Sequence, residues 1–501
     1  MVDLSYPTYD FDFGPGIPDT RGLLCSDHGA VRRSMITATG RRAEVFRYRL
    51  NDHQMSRALG MALSPDLADL IDVFSALYIA DRLSPRAVTC HDRQRIDQRY
   101  RRIAVRVPVR LDDRWSTPET RVGLEGLLCY LTSDSWNIYF VPRRLNQRLT
   151  EVQTHLPMSE RPSRPVVILH SGGLDAGVGL IGQANRTDIS TVIAASVTTN
   201  DRQCEVQDEV TTALRKQMRK ADIEIVSVSL RTHLIGVMRA DQESTQRVRG
   251  LLYLAIGAAV AVLAGGDTLV LSENGVGAIN LPLVLGQYGS RMSKTVHPWT
   301  LSRFSDLVSM VLDRPFSIVN TGLWRTKGEL CRDALSDEFE LIAQKSVSCD
   351  RFPRSTALEA CGQCTSCLLR RIALLVSGWG NVDINAGRRY KFHALSADAS
   401  WSEANLTPLY AMRFQVARLR EALTAATPYR SLIAAFPELT DVLASSQLVG
   451  LPQRELENRI VHLYRTYVTE FDRFTSAFNR VGWGMPAPMA APIWDSVSVA
   501  S

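Results

Sequence analysis

Val166-Val167-Ile168-Leu169-His170-Ser171-Gly172-Gly173-Leu174-Asp175 is the stretch that decides the fold. Four apolar residues in a row read as a strand buried on both faces, and Ser-Gly-Gly turns it into a helix over residues 176–184. Such a turn leaves bare backbone N–H groups and a helix N-terminus at the carboxyl end of a strand, a natural cradle for phosphate. Glycine at 172 and 173 keeps side chains from holding a pyrophosphate off those amides, and Asp175 stands ready to hold a magnesium ion or the loop itself.

Outward from this loop, short apolar strands at 191–197, 224–229 and 268–272 alternate with helical stretches. That alternation predicts an α/β unit over 165–385, built on a parallel sheet covered on both faces. The apolar run 251–265 is shorter than the ~18 to 20 residues that span a bilayer and reads as a buried helix.

Upstream, residues 1–40 are rich in Gly, Pro and Asp and read as an irregular arm. A small α/β domain is expected over 41–148. Phe46, Tyr48 and Leu50 share one face of a strand, and Ser64-Pro65 opens an amphipathic helix. Alternating Ile103, Val105, Val107 and Val109 make a further strand, in which Pro108 hints at an edge or bulge. A helix over 122–132 and a strand over 137–141 complete the unit, which names no chemistry and reads as a structural or recognition module. Residues 149–165, with Pro157, Pro162 and Pro165, read as a linker.

Downstream, 400–482 turns helical. Leu456, Ile460, Leu463, Tyr464, Tyr467, Phe471, Phe474 and Phe478 recur at three and four residues, a stripe that packs on its own domain or on a second copy of the chain. Residues 483–501 read as a loose tail.

A chain of 501 residues with 45% hydrophobic and 22% charged side chains belongs with folded proteins of two or three domains and excludes wholesale disorder. The net charge of +6 is too slight to call for nucleic acid. Its most basic stretch, 86–121, holds ten arginines against five acidic residues and is either a solvated face or a surface for an acidic partner or nucleic acid. The N-terminus lacks a basic segment followed by an apolar run, so a cytoplasmic protein without a membrane span is expected.

Nine cysteines in a reducing compartment seldom form disulfides. Cys25, Cys90, Cys129, Cys204 and Cys331 are scattered and read as small buried side chains. Cys349, Cys361, Cys364 and Cys367 instead follow the spacing of tetrahedral zinc sites. A redox pair would want two cysteines at a helix start, whereas an iron–sulfur cluster also suits four thiolates. Four cysteines leave no ligand position open, so the expected metal is structural.

The loop resembles the Ser-Gly-Gly-x-Asp-Ser signature of PP-loop ATP pyrophosphatases, with Ala176 where the family has serine. Followed by Cys361-Gly-x-Cys-x-x-Cys-Leu-x-Arg-Arg, it resembles the QueC family of 7-cyano-7-deazaguanine synthases over roughly residues 165–380. Asn280-Leu281-Pro282-Leu283 and Thr295-x-His297-Pro298 look like the QueC-like proteins of bacterial antiphage operons, such as the Qat and type IV CBASS systems, which carry an extra N-terminal domain.

The resemblance implies a PP-loop fold of the adenine nucleotide α-hydrolase type, with ATP, Mg2+ and Zn2+. Ser171, Gly172, Gly173, Leu174 and Asp175 would hold the pyrophosphate, Ser196 would face adenine, and Arg249 would neutralise developing charge. Glu273, Asn274 and Gly275 would line the sheet's carboxyl edge, and Arg291 and Lys294 would contact the triphosphate or a carboxylate. His170 reads as a buried strand-end residue and His297 as a loop histidine with satisfied hydrogen bonds.

The implied reaction adenylates a 7-deazaguanine carboxylate and transfers it to an amine. That amine is either ammonia, leading to the nitrile, or the N-terminal amine of a partner protein in antiphage defence. A non-catalytic nucleotide or deazaguanine sensor, motivated by Ala176, and a tRNA-modifying adenylating enzyme are the other expectations.

Overall fold

The computed structural model of the chain describes residues 8–13, 29–37, 40–86, 100–143, 148–152, 165–218, 224–284, 293–334, 337–350, 352, 360–380, 390, 403–445 and 451–480. The expected tail at 483–501, the prolines of the expected linker up to Pro162, Cys25, Cys90 and Arg291 lie outside the described residues.

Ten strands form one sheet: β1 (Thr8–Asp12), β2 (Gly29–Thr37), β3 (Gly40–Asn51), β4 (Arg102–Val109), β5 (Ser135–Pro142), β6 (Val166–Leu169), β7 (Thr191–Thr198), β8 (Glu224–Ile235), β9 (Thr268–Leu271) and β10 (Ser317–Asn320). Their order is β10-β9-β6-β7-β8-β3-β2-β1-β4-β5. The run from β10 to β8 is parallel, as the unbroken apolar strands require. β8, β3, β2 and β1 then pair antiparallel, and β1, β4 and β5 return to parallel pairing. Three reversals set the second parallel block against the first, so the two blocks have their carboxyl ends on opposite rims.

The described residues of the expected irregular arm are therefore strands instead. Tyr9 and Phe11 alternate inward on β1, and β2 pairs with β3 along its whole length. Nor is the N-terminal α/β unit separate in its sheet, because β3 bonds to β8 from Arg47↔Ile235 to Asn51↔Arg231. Pro108 pairs with Val141 of β5 and lies past the end of the β1 pairing at Arg106, so its missing N–H falls on a locally open side of β4. β10 escaped the sequence reading because only four residues pair there.

The first helices are α1 (His53–Leu59), α2 (Pro65–Arg82), α3 (Asp112–Trp115), α4 (Pro118–Thr132), α5 (Leu174–Ala184), α6 (Asp201–Met218), α7 (Arg249–Leu263) and α8 (Gly275–Ile279). α2 was expected to be amphipathic; it is buried nearly all round, between the sheet and α7. One apolar core runs under both blocks, from Phe11 and Phe74 to Leu251 and Phe304.

α9 (Pro298–Leu312), α10 (Lys327–Asp333), α11 (Asp337–Lys345) and α12 (Thr365–Val376) complete the α/β part. A second core gathers α13 (Glu403–Thr424), α14 (Pro428–Ala435), α15 (Leu439–Leu443) and the long α16 (Gln453–Arg480) against α8 and α12. The aromatic stripe of α16, including Tyr464, Tyr467, Phe471 and Phe474, is thus buried within its own chain. No helix of the described residues is long and apolar enough to cross a membrane.

The basic stretch is used internally at three of its arginines. Arg86 pairs with Asp134, Arg101 with Asp81 and Asp134, and Arg110 with Asp69, Asp72 and Glu151. These side chains are neither a solvated face nor a nucleic-acid surface.

Candidate functional site

The loop between β6 and α5 lies at the carboxyl end of the first parallel block, beside β7 and β9. Gly172 takes φ +82, a left-handed conformation that suits glycine, and a Cβ there would stand 3.0 Å from Val206 Cγ1. Gly173 caps α5 in extended conformation and has no side chain to cap the helix, so its first amides take other acceptors. Two hydroxyls flank it: Gly173 N–H donates to Ser171 Oγ at 3.3 Å, and Leu174 N–H donates to Ser348 Oγ at 3.2 Å. Ala176, in the first turn of α5, is buried.

Asp175 is buried and its Oδ2 accepts from Asn274 Nδ2 at 2.9 Å and from Lys327 Nζ at 3.0 Å. Its Oδ1 is buried with no hydrogen-bond partner. Asn274 also donates to Glu273 Oε1 at 2.9 Å and caps α8 by accepting from Gly277 N–H at 2.9 Å, so the amide is fully committed. This contact needs α5 to lie close on the end of β9. Gly179 permits it, since a Cβ there would fall 2.4 Å from Ser272 Cβ.

Three ionisable groups thereby share one buried spot. Burial alone would raise the Asp175 carboxyl, but the Lys327 ammonium and the donated hydrogen bonds outweigh it and hold the group below the usual carboxylate range. Burial first, and then the Asp175 charge, push the Glu273 carboxyl well above its ordinary value. Burial would lower Lys327, yet Asp175 and Glu273 together raise it. The cluster therefore favours the carboxylate at Asp175, the ammonium at Lys327 and the neutral form at Glu273.

Lys327 had no signal in the sequence beyond the capping box that opens α10, Thr326 to Glu329. Its partner Asp175 lies far back along the chain, and only the fold brings them together. Glu470 of α16 braces the same helix end, accepting from Thr326 Oγ1 at 2.9 Å.

The remaining expected residues divide. Ser196 lies near the carboxyl end of β7, next in register after Leu169↔Ala195 and so beside His170. Ser196 Oγ and both ring nitrogens of His170 are buried without hydrogen-bond partners, and burial depresses His170 to about 4, so its ring is neutral. Arg249 opens α7, where it bonds Gln246 Oε1 at 3.3 Å and lies 5.8 Å from the Tyr253 ring centre. Gly275 spends its N–H on the Arg325 carbonyl at 2.8 Å.

Lys294 keeps other company. Its Nζ stands 4.0 Å over the Tyr130 ring of α4, Tyr130 donates to Asp441 Oδ2 at 2.9 Å, and its carbonyl accepts from Thr300. None of these partners belongs to the loop. His297 is the N-cap of α9, its Nδ1 accepting from Trp299 N–H at 3.2 Å, and burial lowers it to about 4.

The sulfurs of Cys349, Cys361, Cys364 and Cys367 all lie within 4.8 Å of one another, with Cys361 to Cys367 at 3.9 Å and Cys364 to Cys349 at 4.0 Å. A tetrahedron of zinc–sulfur bonds of about 2.3 Å separates sulfurs by about 3.8 Å, so the set could hold a metal ion such as zinc. Backbone N–H groups of Cys361, Cys364 and Asp350 donate to the sulfurs, which favours thiolates. Gly362, at φ +77, makes the turn between ligands. Cys204 and Cys331 are buried as expected, while Cys129 is exposed.

No family model matches the chain, and no curated protein matches it.

Proposed function

We propose that the chain is a PP-loop ligase of the QueC-like kind, which adenylates a 7-deazaguanine carboxylate with ATP and passes it to an amine. The observation that carries this is the glycine loop running into a helix N-terminus at the carboxyl end of β6, set beside a buried lysine paired with Asp175 and near Glu273. Open α/β sheets bind ligands at this rim, and a resident cation there suits a polyphosphate.

In this reading the Ser171 hydroxyl and the first-turn amides of α5 beyond Leu174 hold the pyrophosphate. Lys327 neutralises the charge that develops on it, and Arg249 does so from α7. The substrate carboxylate oxygen bonds to the α-phosphorus as the bond to the bridging oxygen breaks, releasing pyrophosphate. The amine then bonds to the acyl carbon and AMP leaves. Asp175 Oδ1, buried without a hydrogen-bond partner, is a hard oxygen donor that would fit Mg2+. When bound, that ion would shield phosphate charge. The amine of a partner protein is the preferred acceptor, because half of the sheet lies outside the QueC-like segment and small substrates alone give it no use.

A sensor reading draws on a specific feature, the closure of Asp175 by Lys327 and Asn274 next to Ala176. Incubation with 7-carboxy-7-deazaguanine, ATP and Mg2+, with ammonium or co-expressed operon neighbours as acceptors, separates the two. AMP and pyrophosphate in equal amounts, with added mass on a neighbour, are expected. ATP binding without AMP release under every condition would leave the sensor.

A further inference from the structure

We propose that Ser348, on the segment leading into the four-cysteine cluster, supplies the phosphate-contacting hydroxyl that Ala176 lacks. The inference rests on the nucleotide reading above and names a residue that the loop's own sequence does not contain.

Three contacts fasten the 346–348 segment over the loop. Val347 N–H donates to the Gly172 carbonyl at 3.0 Å, Ser348 Oγ accepts from Leu174 N–H at 3.2 Å, and Arg370 Nη1 donates to Ser346 Oγ at 2.9 Å. A Cβ on Gly173 would stand 3.3 Å from Ser171 Oγ and 3.8 Å from Ser348 Oγ, so the two hydroxyls bracket that residue from either side. Having accepted from an amide, Ser348 Oγ finds no acceptor for its own hydrogen among the described residues. A hydroxyl at a helix N-terminus that already accepts a hydrogen bond is polarised to donate, here to an anion on the loop.

A second observation marks the place as a ligand site independently of the helix end. His170, 1% exposed, carries two unpartnered ring nitrogens at the residue before Ser171, and Asp175 Oδ1 is bare at the start of α5. The position of Ser348 is set from the metal side as well. Its neighbour Cys349 belongs to the cluster, and Cys367 Sγ packs 3.4 Å from the Ser348 carbonyl oxygen. A metal bound by the four sulfurs therefore fixes the hydroxyl against the loop, although it lies outside the phosphate site.

The test measures affinity for ATP with Mg2+ by calorimetry, and zinc content by elemental analysis, in Ser348→Ala, Ala176→Ser and the double variant. Loss of one hydrogen bond to a charged group should weaken ATP binding in Ser348→Ala by about tenfold or more. Adding Ala176→Ser should restore most of that loss, with zinc unchanged throughout. A merely structural serine would not be rescued by a hydroxyl on α5. Unaltered ATP affinity in Ser348→Ala, or a double variant no better than it, overturns the proposal. Should Ser348→Ala shed zinc, Ser348→Thr replaces it: retained affinity supports the hydroxyl, and weak binding with zinc in place overturns it. Wild-type protein that binds no ATP at all overturns the nucleotide reading instead.

Discussion

Arg101 and Lys327 each stand buried among carboxylates, on the two parallel blocks of one sheet, yet only Arg101 is used up. Its guanidinium reaches Asp134 through Nε and Nη2, Asp81 through Nη2, and the Asp81 and Ser84 carbonyls through Nη1. The remaining oxygens are claimed too, Asp134 Oδ1 by Arg101 N–H and Asp81 Oδ2 by Val248 N–H. Lys327 makes one ion pair, to Asp175 Oδ2, and leaves Oδ1 of the same carboxylate bare. A saturated cluster holds elements together and has nothing left for a ligand. An unsaturated one of the same charge type, at a carboxyl rim, is where a ligand completes the set.

Removing each cation tests that distinction most severely. Arg101→Leu strands Asp81 in a dry interior between β4, α2 and α4 and leaves Asp134 to Arg86 alone, and breaking such a group costs about 3–5 kcal/mol. A large fall in the urea midpoint is expected, with any surviving folded protein still binding ATP normally. A small change in midpoint would mean that the cluster is not the tie between these elements.

Lys327→Ala should behave the other way round. Its two carboxyl partners are coupled, with burial and the Asp175 charge pushing Glu273 toward its neutral form, so the stability cost should stay near that of one charge-assisted hydrogen bond, about 1.5–3 kcal/mol. ATP turnover should fall by about 100-fold or more, as for loss of a charge aimed at a developing anion. Equal loss of stability in the two variants, with ATP handling intact in Lys327→Ala, would erase the contrast.

What the sequence disclosed follows the same division between local and distant causes. The β6–α5 loop, the cysteine cluster and the aromatic stripe of α16 are written in consecutive residues or fixed short spacings, and each appears where expected. The alternation of Tyr9, Phe11 and Phe13 was equally local, but the surrounding Gly, Pro and Asp masked a strand of only five residues. Lys327, Ser348 and the pairing of β3 with β8 depend on chain crossings that no periodicity encodes. Lys294 shows the converse error: a basic residue in a suggestive loop, captured by the Tyr130 ring and the acidic end of α15. Charge type was readable, whereas its partner was not.

The smallest effects, in the pH dependence of stability, separate the clusters by sign. Glu243 accepts from Arg86 N–H at 3.0 Å and from Thr245 N–H at 2.9 Å; burial would raise it, but Arg86 and Arg101 bring it down to about 2. A depressed carboxyl contributes stability above its unfolded value near 4.3 and loses it as pH falls toward 2. Glu243→Gln should therefore destabilise at pH 7 by about 2–3 kcal/mol and approach wild type in acid. Glu273 is raised, so wild type is penalised as pH climbs past about 4.3, where the unfolded chain ionises and the folded one does not. Glu273→Gln should consequently be more stable than wild type at pH 7 and converge with it below pH ~4. Urea midpoints of the three proteins from about pH 2 to 8 decide the matter: a Glu273→Gln curve that runs parallel to wild type would mean that Glu273 ionises freely, and that Lys327 is balanced by two charges after all.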